Sequence, residues 1–168
     1  SAASDVYKRQ VEGAIAELGL DDTQLPAIDE ELVCVTENDA CCVDAIQCLL
    51  GCTYGKANLI PRLRGKMAFT FFVRDENSSA AKAVRLFLKP EAGEGMSRDE
   101  YQNYLLNTPY TELFEVLEPR IALPEPARHF ASEHCSVCGE YTAEYGLRLQ
   151  DGKPVCLDCY SAYEREGF

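Results

Sequence analysis

The sequence predicts an α+β protein that ends in a small four-Cys zinc ribbon. Three observations support this fold class. Apolar residues within positions 11–20 recur at helical spacing. The β-branched run Leu32–Thr36 has the composition of a buried strand. Two Cys-x-x-Cys pairs lie near the end of a chain whose 168 residues suffice for one core domain and a small second unit.

The first part of the chain is predicted to fold as helix, strand and helix. Gly19 follows the first apolar repeat, at the position where glycine commonly ends a helix. A second helix is expected over residues 40–50. Asn38 or Asp39 can cap its first turn, and Gly51 can end it.

The next part is predicted to form a hairpin, a helix and a final strand or two. Residues 65–75 and 81–89 are typical of strands, and the turn-forming sequence ENSS between them indicates a hairpin. Ser97 and Glu100 have the spacing of a capping box, which predicts the start of a helix. One or two further strands fit within residues 113–123, and residues 124–134 are typical of a linker.

The first ten residues, SAASDVYKRQ, have neither an initiator Met nor the pattern of a signal peptide. We predict that residues 1–10 are a non-native or disordered tail, that the first helix is truncated, and that native residues upstream are missing. The predicted domains are then an α+β core over residues 11–126 and a zinc ribbon over residues 127–168.

The chain is strongly acidic, with a formal net charge of -12. This charge argues against a general binder of nucleic acids or anionic membranes, and no run approaches the roughly 20 apolar residues of a membrane-spanning helix. The charge is uneven, because residues 56–89 carry eight basic and two acidic side chains, a net charge of +6. That stretch marks either an anionic ligand or partner, or the solvated face of a hairpin.

Nine cysteines, an odd number, argue against a fully paired extracellular disulfide framework. The number of thiols and the lack of an export signal predict a reducing, cytoplasmic location.

The C-terminal cysteines have the spacing of a zinc site. Cys135 and Cys138, then 17 residues, then Cys156 and Cys159 match the Cys-x-x-Cys template for a four-thiolate site. Each pair can form a tight knuckle, and two knuckles complete a tetrahedron around Zn²⁺. Because all four ligands are protein thiolates, the zinc is predicted to be structural and to supply folding energy.

Two other chemistries share this spacing. Redox pairs are disfavoured because neither pair lies in a βαβ context, whereas an iron centre on four thiolates has the same ligand pattern. Residues 131–168 carry a net charge of −4. Protein contact or support of a dimer is therefore predicted for the ribbon, rather than nucleic-acid binding.

Five further cysteines lie within 19 residues: Cys34, Cys41, Cys42, Cys48 and Cys52. Helical spacing places Cys41, Ala45, Cys48 and Cys52 on one face. Cys41 is expected in the first turn, where a helix N-terminus favours a reactive thiolate. Cys52 is expected just past the helix end, with Lys56 close in sequence. These two are the candidate catalytic thiols, and the other three are interpreted as core packing.

Residues 37–72, ENDACCVDAIQCLLGCTYGKANLIPRLRGKMAFTFF, contain three unusual motifs. These are Asp-Ala-Cys at residues 39–41, Gly-Cys-Thr-x-Gly-Lys-x-Asn-Leu at residues 51–59, and Gly-Lys-x-Ala at residues 65–68. The segment resembles the signature of the FmdE family, the E subunits of formylmethanofuran dehydrogenase and their relatives. The resemblance extends over about residues 11–123, and an appended four-Cys ribbon also occurs in this family.

The resemblance implies a thioredoxin-like mixed β-sheet core flanked by helices, often dimeric. Some relatives are encoded beside the molybdenum or tungsten enzyme that reduces CO2 onto methanofuran in methanogenesis. Family members begin with a His-Gly-His-x-Cys-Pro-Gly segment that helps line a conserved polar site. This chain has no His before His129.

Three functions are compatible with these features. The first is an accessory, metal-handling protein, expected to be a homodimer, that serves a molybdenum or tungsten enzyme. Its core site would gather Cys41 and Cys52 with Asp39, Lys56 and Asn58, and would bind a substrate or a second metal of unknown identity. The second is a redox or nucleophilic enzyme in which Cys41 reacts and Cys52 resolves. The third is an interaction adaptor with purely structural zinc. The sequence ranks the first above the third, and the second last.

Overall fold

Residues 8–164, except for the side chain of Asp22, are described by a computed structural model. Residues 1–7, which hold most of the predicted tail, and residues 165–168 lie outside the described residues. Contacts divide the chain into two units, Ser1–Pro126 and Ala127–Phe168. Across the described residues, no helix combines the length and the apolar composition needed to traverse a bilayer.

Among its described residues, 8–126, the first unit contains four helices, a 3₁₀ turn at Asp22–Gln24 and five strands. Its helices are α1 (Arg9–Leu18), α2 (Cys42–Ala45, continued by a π-helical turn at Ile46–Leu50), α3 (Arg98–Asn107) and α4 (Tyr110–Leu113). Its strands are β1 (Leu32–Thr36), β2 (Leu59–Pro61), β3 (Ala68–Arg74), β4 (Ala80–Leu88) and β5 (Phe114–Leu117).

The five strands form one mixed sheet in the order β2-β1-β3-β4-β5. Strands β1 and β2 are parallel, and every other neighbouring pair is antiparallel. The β3–β4 hairpin carries a bulge between Val73 and Arg74. This sheet and its helices confirm the predicted α+β class.

The two faces of the sheet are covered differently. On one face, Cys34, Phe71 and Leu86 pack into the main core with residues of all four helices. On the other face, Val33, Val35 and Phe72 form a smaller cluster with Ile60, Ala83, Ile121 and Leu123. The second face is therefore covered in part by the segment after β5 rather than by a helix.

Three features of the first unit differ from the sequence-based prediction. Helix α1 begins at Arg9, and Gln10 is buried with its amide donating to the Cys42 carbonyl at 2.8 Å, so the helix includes the last two residues of the predicted tail. Strand β2 was not predicted, because its three residues are too few to show a period. The second helix changes from α to π geometry at Ile46.

The described part of the second unit, residues 127–164, contains two short hairpins. Strand β6 (Ser132–His134) pairs with β7 (Tyr141–Ala143), and β8 (Leu147–Gln150) pairs with β9 (Lys153–Cys156). A 3₁₀ turn, Glu144–Gly146, connects them. The Ser136 amide donates to the Pro154 carbonyl at 2.9 Å and ties the hairpins together.

Candidate metal centre and core thiols

Each hairpin of the second unit presents one Cys-x-x-Cys knuckle. The first knuckle closes with the Gly139 amide donating to the Cys135 carbonyl at 2.9 Å, and Gly139 has the positive φ of 78° that this turn requires. The second follows β9, where the Tyr160 amide donates to the Cys156 carbonyl at 2.9 Å. Local turn geometry therefore points both thiol pairs toward the same place.

The four thiols fit a zinc ion. Their sulfur atoms all lie within 4.8 Å of one another, and Cys138 Sγ is 3.9 Å from Cys156 Sγ. A tetrahedral ion with bonds of about 2.3 Å needs its sulfurs about 3.8 Å apart. Within residues 8–164, this is the only group of three or more His, Cys, Asp or Glu side chains placed to hold a metal.

Backbone amides prepare one of these thiols for metal binding. Hydrogen bonds from the amides of Cys156, Cys138 and Val137 lower the pKa of Cys135 to about 6. The hydrogen bond with the Cys156 thiol raises the pKa of Cys159 to about 12. Without metal, the cluster therefore retains protons that a bound Zn²⁺ would displace, since zinc binds thiolates.

The structure does not bring the two candidate catalytic thiols together. Cys41 precedes α2, and Cys52 follows Gly51 beyond the π-helical turn. At a rise of about 1.5 Å per residue, the nine intervening helical residues separate them by more than about 10 Å. A disulfide requires Cα atoms within about 7 Å, so Cys52 cannot resolve Cys41 here.

Cys52 is enclosed by the protein core. Its thiol donates to the Leu32 carbonyl at 3.6 Å, and burial raises its pKa to about 12 despite the opposing charge of Lys56. Lys56 donates from Nζ to the Ala27 carbonyl at 2.7 Å. The side chain of Asn58 is also buried and bonds to the surrounding backbone. The contacts of these three residues with backbone carbonyls hold the loop after α2 against the rest of the first unit.

Asp39 and Cys41 lie at the other end of α2, and both are exposed. The five candidate residues of the core site thus form two groups: Asp39 and Cys41 are exposed, whereas Cys52 and Asn58 are buried and Lys56 is partly buried. Their proposed catalytic and substrate-binding roles stay predictions.

The other core thiols are placed as follows. Cys34 and Cys42 are buried, in line with packing roles, and burial raises the pKa of Cys42 to about 12. Cys48, interpreted as a core residue, is instead exposed. The predicted thiol face is wrong, because Cys41 and Cys48 face solvent while Ala45 is buried.

The sequence analysis missed a buried ion pair between Glu37 and Arg85. The available signal was a single Arg within the apolar alternation of β4, inside the basic stretch.

Comparison with known proteins identifies two matching family models. The model described as FmdE, molybdenum formylmethanofuran dehydrogenase operon, matches residues 9–117, more than half of the chain. The chain belongs to the FmdE family. The model described as prokaryotic dksA/traR C4-type zinc finger matches residues 130–165 of this FmdE-family chain, and together with the thiol cluster it supports a structural zinc.

Two similar proteins extend across both units of the FmdE-family chain. A protein of Archaeoglobus fulgidus named "Probable S-adenosyl-L-methionine-binding protein" is 27% identical over an alignment of 174 positions, which covers 89% of this chain and 46% of that protein. The chain thus spans about half the length of this relative. A tungsten formylmethanofuran dehydrogenase FmdE-like protein from Syntrophus aciditrophicus has the same fold, with a TM-score of 0.53, 19% identity and 91% coverage of each chain.

Proposed function

We propose that this FmdE-family chain is an accessory protein of a molybdenum- or tungsten-containing formylmethanofuran dehydrogenase-type system, and that its zinc finger binds a protein partner. The operon named by the matching family model and the tungsten-enzyme name of the structural neighbour support the class of partner. The separation of Cys41 from Cys52 favours this function over a thiol enzyme that uses both residues.

The observation that carries the docking role is the exposed apolar surface of the zinc finger. Val137 and Leu157 lie at the tips of the two knuckles, and 66% and 55% of their surfaces are exposed. Tyr141, Tyr145 and Leu149 are also exposed in the same unit. Apolar and aromatic side chains of this kind are typical of protein interfaces, and the unit's negative charge disfavours nucleic acid.

A second metal, bound at Asp39 and Cys41 on the surface of the first unit, remains part of this proposal. Asp39 and Cys41 are accessible, and a thiolate with a carboxylate is a partial ligand set for a soft or intermediate metal ion. Further ligands would have to come from outside the described residues or from a second copy of the chain. A homodimer would supply the second copy.

The S-adenosylmethionine binding named for the Archaeoglobus relative is not carried over to this chain, because the shared region is less than half of that protein.

The docking role is tested by measuring how tightly the unchanged chain and two matched variants bind to a purified formylmethanofuran dehydrogenase-type complex. Removing the knuckle tips with Val137→Ser and Leu157→Ser should weaken binding at least about tenfold, because central apolar contacts dominate interface energies. Biolayer interferometry on the zinc-loaded chain measures this effect.

The control is Ile28→Ser, which removes an exposed aliphatic side chain from the first unit. It should bind like the unchanged chain, and all variants should retain one zinc. Failure of the unchanged chain to bind, or equal binding by the knuckle variant, contradicts the proposal.

A further inference from the structure

The second face of the sheet contains a buried charge pair away from the thiols. Arg85 in β4 donates from Nε to Glu37 Oε1 at 2.8 Å and from Nη2 to Glu37 Oε2 at 3.1 Å. The side chains of Arg85 and Glu37 are 1% and 6% exposed. This bidentate pair fixes the plane of the guanidinium.

The pair leaves one donor of Arg85 unused. Among the described residues, Arg85 Nη1 is a buried side-chain polar atom without a hydrogen-bond partner. A buried donor without a partner has lost its hydrogen bond to water without a replacement, so such groups are uncommon in folded proteins. A hydrogen-bond acceptor bound beside this atom would satisfy the unused donor.

Arg85 lines a cleft of about 110 Å³ together with Lys66, Phe87 and Arg120. Lys66 and Arg120 are exposed, and within residues 8–164 neither forms an ion pair. The Arg85 guanidinium lies 5.5 Å from the centre of the Phe87 ring. The cleft is thus lined by three cationic groups and one aromatic wall.

The carboxylate of Glu37 offsets the charge of Arg85, so the excess positive charge of the cleft comes from Lys66 and Arg120. Glu37 is occupied by Arg85, whose hydrogen bonds, assisted by the charges of Arg85, Lys66 and Arg62, lower the Glu37 pKa. Glu115 pairs with Phe87 across the β4–β5 ladder and is exposed. The local excess of positive charge stands out in a chain with a net charge of -12.

We propose that this cleft binds a small tetrahedral oxyanion of the phosphate class, either as a free ion or as the terminal group of a larger ligand. Arg85 Nη1 donates a hydrogen bond from the floor, and Lys66 and Arg120 neutralise the anion from the rim. A guanidinium held rigidly by a carboxylate suits such an anion, because its remaining donor needs no reorganisation. The bound anion would also be the anionic ligand that the basic stretch at residues 56–89 predicts. The site is independent of the zinc finger and of the proposed partner.

The test uses isothermal titration calorimetry on the zinc-loaded chain at low ionic strength, with two probes. Inorganic phosphate tests the free ion, and glycerol phosphate tests the monoester. Saturable binding of either probe is expected. Tighter binding of the monoester assigns a larger ligand, and tighter or equal binding of phosphate assigns the free ion. Binding of neither probe overturns the proposal.

Matched variants show whether the cleft is responsible. Lys66→Met with Arg120→Met should weaken binding at least tenfold. Arg64→Met removes an exposed charge that does not line the cleft, and should change affinity less than twofold. Equal weakening by Arg64→Met would show a general charge effect and refute the site.

The role of Arg85 needs a variant that keeps the core neutral. Arg85→Met together with Glu37→Gln removes both charges of the pair. We expect this double variant to lose phosphate binding and to retain the circular dichroism spectrum of the unchanged chain. If it is unfolded, Phe87→Glu places a carboxylate on the wall of the same cleft and should abolish phosphate binding by repelling the anion, and unchanged phosphate binding by that variant contradicts the proposal.

Discussion

At the scale of single residues, the motif around Asn58 has a structural role. Its Nδ2 donates to the carbonyls of Asp29, Leu32 and Gly51 at 2.9, 3.0 and 3.3 Å, and its Oδ1 accepts from the Thr53 amide at 2.8 Å. One buried amide therefore joins the loop after α2 to the segment before β1. Such satisfied buried networks fix a single conformation.

Gly51 allows this junction to form. Its φ is 73°, and a Cβ there would lie 2.7 Å from the backbone nitrogen and 2.8 Å from the oxygen of Ala27. Gly51→Ala should therefore lower the free energy of unfolding. The left-handed backbone conformation should cost about 1–2 kcal/mol, and the clash with Ala27 should cost about 1–3 kcal/mol more. Urea denaturation measures the change in the free energy of unfolding.

Gly65→Ala is the matched control for this prediction. Gly65 has a similar φ of 65°, but no atom lies within 4 Å of the position that a Cβ would occupy there. Gly65→Ala should therefore lower the free energy of unfolding only by the cost of the left-handed backbone conformation. Equal losses at Gly51 and Gly65 would show that the approach of Ala27 is unimportant.

At the scale of elements, the two hairpins of the zinc finger have little apolar interior. Their buried residues are Cys135, Val155 and Cys156, with Leu147 and Cys159 packed against them. Two of the three buried side chains are metal ligands. Because such a core is too small to offset the entropy of folding, the hairpins need the ion.

Removing zinc should therefore unfold the second unit and leave the first unit folded. Chelation should release one equivalent of zinc, and Cys138→Ser should lower the zinc affinity by removing a thiolate ligand. Amide hydrogen exchange should lose protection at residues 132–156 and keep it in β3 and β4. Ser161→Ala, which leaves the thiols intact, is the control.

Two results decide this prediction. Hairpins that stay protected after zinc release would show that the apolar interior suffices. A second metal equivalent that survives Cys138→Ser would place a metal outside the zinc finger and support the proposed site at Asp39 and Cys41.

At the scale of the whole molecule, the Glu37–Arg85 pair links the chain after β1 to the middle of β4. The hydrogen bonds from Arg85 keep the Glu37 pKa below its usual value of 4.5. The folded state therefore favours the ionised carboxylate. The contribution of the ion pair to stability is complete above the usual pKa of Glu37, and it is lost as the pH falls through the lower pKa of Glu37 in the folded state.

Glu37→Gln should therefore destabilise the first unit most at neutral pH. We expect a loss of about 3–5 kcal/mol there, because Arg85 would keep a buried charge without a carboxylate. The difference from the unchanged chain should shrink as the pH falls below about 4.5. Hydrogen exchange of β3 and β4 amides measures this difference without interference from zinc release in the other unit.

Glu118→Gln, at an exposed carboxylate, is the control and should cost less than about 0.5 kcal/mol at any pH. A Glu37→Gln difference that is constant with pH would contradict the ionised pair as its source.

Several features could be predicted from the sequence because neighbouring residues encode them. The capping box of Ser97 and Glu100, the left-handed Gly19 and the β1 run Leu32–Thr36 all lie where the sequence places them. Each knuckle is a turn of a few residues, so the spacing of four cysteines was sufficient to predict the metal cluster.

The tertiary structure decided which polar and sulfur groups meet. Helical rise places Cys41 and Cys52 at opposite ends of α2, although they are only 11 positions apart in the chain. The β3–β4 hairpin and the β1–β3 ladder bring Arg85 to Glu37 across 48 positions. Short-range geometry is written in local spacing, whereas burial and charge pairing depend on distant segments that only the folded sheet brings together.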